Sequence, residues 1–201
     1  MNLVCYPVLN GAAGHTYSVQ PGLGFMSDSY FNIRKAVHSG TDWNATTGGN
    51  TDYGDPVYAT QDYGVVRDTG TYRGWGKDVM VVFPSLAPNT YNEDMYAHLS
   101  RIVVVVGQKL RFGDLIGYIG RGWLEQFTAH LHFEKRIKRI APQDWPSSLH
   151  SDRTKAEAYC RATRIDAEAF MIRNKAIKTL AQLNKVRASL KLPPVSGFRA
   201  A

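Results

Sequence analysis

Glycine placement is the feature that most constrains this chain. Seventeen of its 18 glycines fall before residue 123, and none lies between Gly122 and Gly197. Glycine tolerates positive φ and costs about 1 kcal/mol inside a helix, so it marks turns and is disfavoured in helices. The two parts of the chain therefore call for different architectures. Across Tyr17–Arg139, short β-branched or aromatic runs at Pro56–Thr60, Gly64–Arg67, Asp78–Pro84, Met95–Ser100, Arg101–Val106, Asp114–Gly120 and Thr128–Arg136 read as strands. Turn signals such as Asp62-Tyr63-Gly64 and Gly74-Trp75-Gly76 separate them, and Gly107–Gly113 reads as a connecting loop. The expected fold class is mostly β, with a C-terminal α-helical appendage.

Beyond Ala141–Pro146, helix-favouring Ala, Lys, Arg, Glu and Leu take over. Ser151 is placed to cap a helix reaching about Thr163, and a second helical stretch runs from Asp166 to Pro193. In that stretch Ile165, Ile172, Thr179 and Val186 repeat every seven residues, with Ala169, Ala176, Leu183 and Leu190 as the partner row. A continuous helix of this kind would carry a seam about 39 Å long. It would pack on its own domain, or dock on another subunit as a hairpin or coiled coil. The expected organisation is an N-terminal arm over 1–16, a main domain over 17–146, a helical docking or targeting appendage over 151–192, and a tail over 193–201.

Charge follows the same division. The 201 residues hold 24 Lys+Arg and 17 Asp+Glu, for a net charge of +7. Residues 1–150 are balanced at 13 of each, whereas the last 51 carry eleven cations and four anions. A uniformly basic nucleic-acid binder is thereby excluded. The tail also has few aromatics for base stacking, so no nucleic-acid partner is expected. No pure apolar run, Ile102–Val106 included, approaches the roughly 18 residues of a membrane span. The N-terminus lacks a basic start and does not read as a signal peptide. Cys5 and Cys160 are expected as reduced, buried thiols.

Three constellations carry chemistry. His38 and Asp42 lie four residues apart, and both are good ligands for a borderline divalent ion such as Zn²⁺. On a strand over Thr128–Glu134, alternation puts Thr128, His130, His132 and Glu134 on one face and Ala129, Leu131 and Phe133 on the other. In Met95–Ser100 the same alternation places Tyr96 and His98 together. His15 and His150 have no such context and read as surface or capping residues. Together these residues suggest a metal site with an incomplete protein shell beside spare imidazoles. Such a site lowers the pKa of water to about 7 and supports amide hydrolysis.

The ordered set comprises His38-x-x-x-Asp42, Gly54–Ala59 with Gly64–Val66, Tyr96–Ser100, Val106–Gln108, Gly113–Gly117 and His130–Glu134. It resembles the lysostaphin/LytM-type zinc endopeptidases of bacterial cell walls. The resemblance implies two antiparallel sheets forming an open groove with zinc on its floor. It also implies His38, Asp42 and His132 as zinc ligands, with His98 and His130 as catalytic histidines. The implied substrate is the peptide cross-bridge of bacterial peptidoglycan, with a D-Ala–diaminopimelate link and a glycine bridge both open. This chain departs from the family pattern in bulky Trp123 and Phe127 and in a long Phe83–Asp94 stretch, both expected to wall the groove. The expected setting is a bacteriophage lysin, virion-associated or free at host lysis. Its 165–190 helix would dock on phage tail proteins or on itself. A non-catalytic structural or regulatory protein built on the same domain is the competing class.

Overall fold

A computed structural model describes residues 3–85, 87–149 and 152–197. In chain order the described strands are β1 (Cys5–Asn10), β2 (Tyr17–Val19), β3 (Thr41–Ala45), β4 (Pro56–Tyr58), β5 (Gly64–Tyr72), β6 (Gly76–Val82), β7 (Glu93–Ile102), β8 (Lys109–Leu110), β9 (Leu115–Ile119), β10 (Leu131–Arg136), β11 (Arg164–Ile165) and β12 (Ile177–Thr179). The helices are α1 (Asp28–Arg34), α2 (Pro146–Leu149), α3 (Arg153–Thr163), α4 (Ala167–Arg173) and α5 (Leu180–Ser189). Ten strands form one antiparallel network whose central path runs β2-β3-β10-β7-β6-β5-β8.

β7 explains why the expected pair of separate sheets is one network. Its first half pairs with both β6 and β10, while Leu99–Ile102 pairs with β9, which also carries β4. The change of partner follows His98, whose φ of 65° is left-handed. Alternation along β6, β7 and β10 then separates two apolar clusters. Val79, Val81, Tyr96, Leu131 and Phe133 enter the main core, whereas Met80, Met95 and Ala97 pack with Trp75 on the other face.

The ends of the chain differ from expectation. Within the N-terminal arm, β1 is buried and pairs in parallel with β12. The single heptad helix over 165–190 is absent. Arg164 leaves α3 in extended conformation, Lys175 adopts a left-handed φ of 50°, and β12 separates α4 from α5. The side chains that α4 buries are Ala167, Phe170 and Met171, while the heptad residue Ile172 is 61% exposed. The seam on which docking to tail proteins or to self was premised therefore does not exist as a continuous surface. α3 is capped by Asp152, whose carboxylate accepts from the Lys155 N–H; Ser151 lies outside the described residues, as does His150. His15 is no bare surface residue, because its Nδ1 lies 2.5 Å from the buried Asp55 carboxylate. Arg101–Val106 is a strand only through Ile102, and Gly107–Gly113 includes β8. Both cysteines are free and buried. No helix among the described residues is long and apolar enough to cross a membrane.

Candidate metal centre

The site is built where β3 crosses beside β10. Asp42 on β3 lies directly opposite His132 on β10, and Asp42 Oδ1 sits 2.9 Å from His132 Nδ1. His38 arrives from the turn after α1, stacked on Tyr30 at 4.5 Å, with its Nε2 3.2 Å from the same Asp42 oxygen. Gly40 makes this approach possible, since a Cβ there would fall 2.6 Å from both His132 Nε2 and the Phe133 carbonyl oxygen. One ligand atom from each of His38, Asp42 and His132 lies within 4.8 Å of the others, and all three residues are buried. Ligands about 2.0–2.1 Å from a tetrahedral zinc stand about 3.3–3.4 Å apart. The 3.2 Å separation is close to that spacing, while the 2.9 Å one is a hydrogen-bond distance that would widen around such an ion.

Each imidazole is oriented by a second contact. The Nδ1–H of His38 donates to the Gly24 carbonyl at 2.9 Å, which leaves the Nε2 lone pair facing Asp42. The Nδ1–H of His98 donates to the Trp75 carbonyl at 2.7 Å, and that of His130 to the Thr128 carbonyl at 2.7 Å. A carbonyl only accepts, so both Nδ1 atoms carry protons, and in a neutral ring so held the Nε2 atom is the base. The rings of His98 and His130 lie 4.8 Å apart, and His130 Nε2 is 3.6 Å from Asp42 Oδ2.

The structure corrects the strand alternation at one point. Tyr96 faces the main core, its ring tilted against Phe133 at 5.2 Å, while His98 faces the site. The left-handed φ at His98 and the shifted β7 register rotate the imidazole to the opposite face. The Trp75 carbonyl accepts from both the His98 backbone N–H and its ring, and so holds that conformation. Along β10 and the two residues before it the expected alternation is present: Ala129, Leu131 and Phe133 are in the core, and His130 and His132 face Asp42.

The electrostatics follow from confinement. Burial pushes the Asp42 carboxyl upward, but His38, His130 and His132 around it win and hold it well below the usual carboxylate range. Burial, reinforced by His130 and His132, holds His98 well below the usual imidazole value, so it is neutral. Burial lowers His132, but its bond to Asp42 and the Glu134 carboxylate beside it outweigh that and push it up to about 9.

A cavity of about 230 Å³ opens on this cluster, with walls that include Tyr30, Trp75, Phe127 and Trp145. Phe127 packs 4.9 Å from His98, as expected of a groove wall. Trp123 lines a neighbouring pocket instead, and the described residues of Phe83–Asp94 line neither. Sequence reasoning missed Trp75, Tyr30 and Trp145; only the Gly-Trp-Gly turn signal hinted at the first.

A model described as Peptidase family M23 matches residues 36–144. The chain belongs to peptidase family M23. All five site histidine and aspartate residues lie in the M23 segment, in agreement with the lysostaphin/LytM resemblance of the motifs. Two solved structures share the fold. The solution structure of lysostaphin is 20% identical with a TM-score of 0.54, covering 84% of this chain and 58% of that one. A chain of the SpoIIQ–SpoIIIAH pore forming complex is 18% identical with a TM-score of 0.53, covering 92% and 98%. The M23 chain thus spans less than two thirds of lysostaphin. Lysostaphin comes from Staphylococcus simulans. A search of curated protein sequences finds no match.

Proposed function

We propose that this M23 chain is a zinc-dependent endopeptidase that hydrolyses peptide cross-links of bacterial peptidoglycan. His38 Nε2, an Asp42 carboxylate oxygen and His132 Nδ1 would hold the zinc. The ion, when bound, polarises a carbonyl oxygen and acidifies water. The protein's own residues supply the rest. His98 and His130 present unprotonated Nε2 atoms at one cleft, each fixed by a carbonyl behind it. Either accepts a proton from attacking water, and the resulting imidazolium donates to the developing oxyanion or the leaving amine. The aromatic walls and the narrow cavity favour a slender peptide over a folded protein.

The observation that carries this reading is the convergence of all five side chains in one buried cleft, with both spare imidazoles locked as bases. The fold alone does not separate a hydrolase from a binding module, since it also occurs in a pore forming complex. The intact residue set favours the enzyme. Purified protein should clear a peptidoglycan suspension, lose that activity in a chelator and regain it with zinc. The variant His132→Ala should be inactive, and full activity in it would overturn the assignment. Mass spectrometry of digests of defined muropeptides would identify the bond cut.

A further inference from the structure

We infer that Arg164, from the C-terminal segment outside the family match, is a positioning residue for the metal centre, acting through Glu134 on His132. The inference rests on the zinc reading above.

β10 is flanked on one edge by β3 and then, where β3 ends, by β11, with Arg164 opposite Arg136. The C-terminal segment therefore completes the edge of the strand that carries His132. Two guanidinium groups close on the same carboxylate oxygen: Arg136 Nε lies 2.6 Å and Arg164 Nε 2.9 Å from Glu134 Oε2, and all three side chains are fully buried. Arg164 is itself anchored by the carboxylate and the carbonyl of Asp144, at 2.9 Å and 3.0 Å.

The other oxygen is left uncommitted. Glu134 Oε1 makes no hydrogen bond, and neither does His132 Nε2, and the two atoms face each other 3.6 Å apart. With a metal on its Nδ1, His132 would carry its proton on Nε2, and Glu134 Oε1 is the acceptor that faces it. A carboxylate behind a ligating imidazole fixes the tautomer and raises ligand basicity, and losing such a partner typically weakens metal binding about 10–100-fold. Arg136 and Arg164 pin Oε2, so Oε1 must face the ring. The segment with the appearance of an appendage is therefore wired to the site along Asp144–Arg164–Glu134–His132.

The test is zinc affinity of the full chain, measured by competition with a chromophoric chelator, together with the visible spectrum of the Co²⁺-substituted protein. Arg164→Met and Glu134→Gln should each weaken zinc about 10–100-fold and alter the cobalt spectrum, and Arg164→Lys should restore part of the loss. Arg187→Met is the control. Arg187 is equally buried in the C-terminal segment, but it bonds Phe112 and Asp114. That variant should lose stability while keeping its zinc affinity. Wild-type protein that takes up no zinc would refute the metal-centre reading itself. Wild-type protein that binds zinc, with folded Arg164→Met binding it equally well, would overturn the inference. Should Arg164→Met fail to fold, unchanged zinc affinity in Glu134→Gln would overturn it in the same way.

Discussion

The two faces of β10 each bury charge, but they spend it differently. On the core face, the Lys135 ammonium bonds Asn92 and Asp94 and sits over the rings of Phe83 and Phe170, and Asp94 also accepts from Thr60. On the site face, Glu134 Oε1, His132 Nε2 and both oxygens of nearby Asp78 lack hydrogen-bond partners. A closed polar network specifies a fold, while uncommitted buried atoms cost stability and are kept where a ligand or a reaction uses them. One strand thus separates a buried charge that is fully paired from buried polar atoms that are not.

Three perturbations would break or sharpen that contrast. The largest effect is expected at the bases on the site side. His98→Ala and His130→Ala should each lower peptidoglycan hydrolysis about 100–10,000-fold while zinc content, measured by atomic absorption, stays stoichiometric. A loss of zinc in step with activity would make them ligands instead.

Next is Lys135→Met, which strands the Asp94 carboxylate on the core face. Breaking one partner of a buried pair costs about 3–5 kcal/mol, readable in a urea titration. Zinc affinity of the folded fraction should stay within about twofold. A large affinity change would erase the distinction between the faces.

The smallest effect is at Asp78, whose carboxyl burial pushes up to about 8, with Arg136 only partly opposing it. Its folded pKa exceeds the unfolded value of about 3.9. The folded state therefore holds this proton more tightly, and that contribution to stability is full below about pH 4 and lost as pH rises through about 8. Asp78→Asn should consequently be more stable than wild type at pH 8, on the order of 1–2 kcal/mol, with the advantage shrinking toward pH 4. Equal pH dependence of thermal midpoints in the two proteins would contradict this.

The legible part of the site lay in local patterns. His38 and Asp42 four residues apart, and His130 and His132 two apart on a strand with an apolar opposite face, marked a metal cluster before any contact was known. Alternation pairs His98 with Tyr96, whereas the left-handed backbone at His98 turns its ring to the opposite face, beside His130. Glu134 was placed on the correct face, but its partner Arg164 is 30 residues away and no spacing relates them.

Glycine placement and residue periodicity separate a β region from a helix-forming end, and the ordered motifs resemble those of the lysostaphin/LytM-type endopeptidases, because each of these signals acts over a few residues. Where the helix-forming end goes was decided by tertiary packing. An apparent heptad repeat gave way to β11 on the edge of β10, β12 beside β1, and Phe170 and Met171 in the core. Burial of those side chains and pairing of exposed strand edges outweigh the helical propensity of the segment. The positive charge of that end changes meaning with it: Arg164 and Arg187 are buried in ion pairs, and Arg164 bonds Glu134, the carboxylate beside His132.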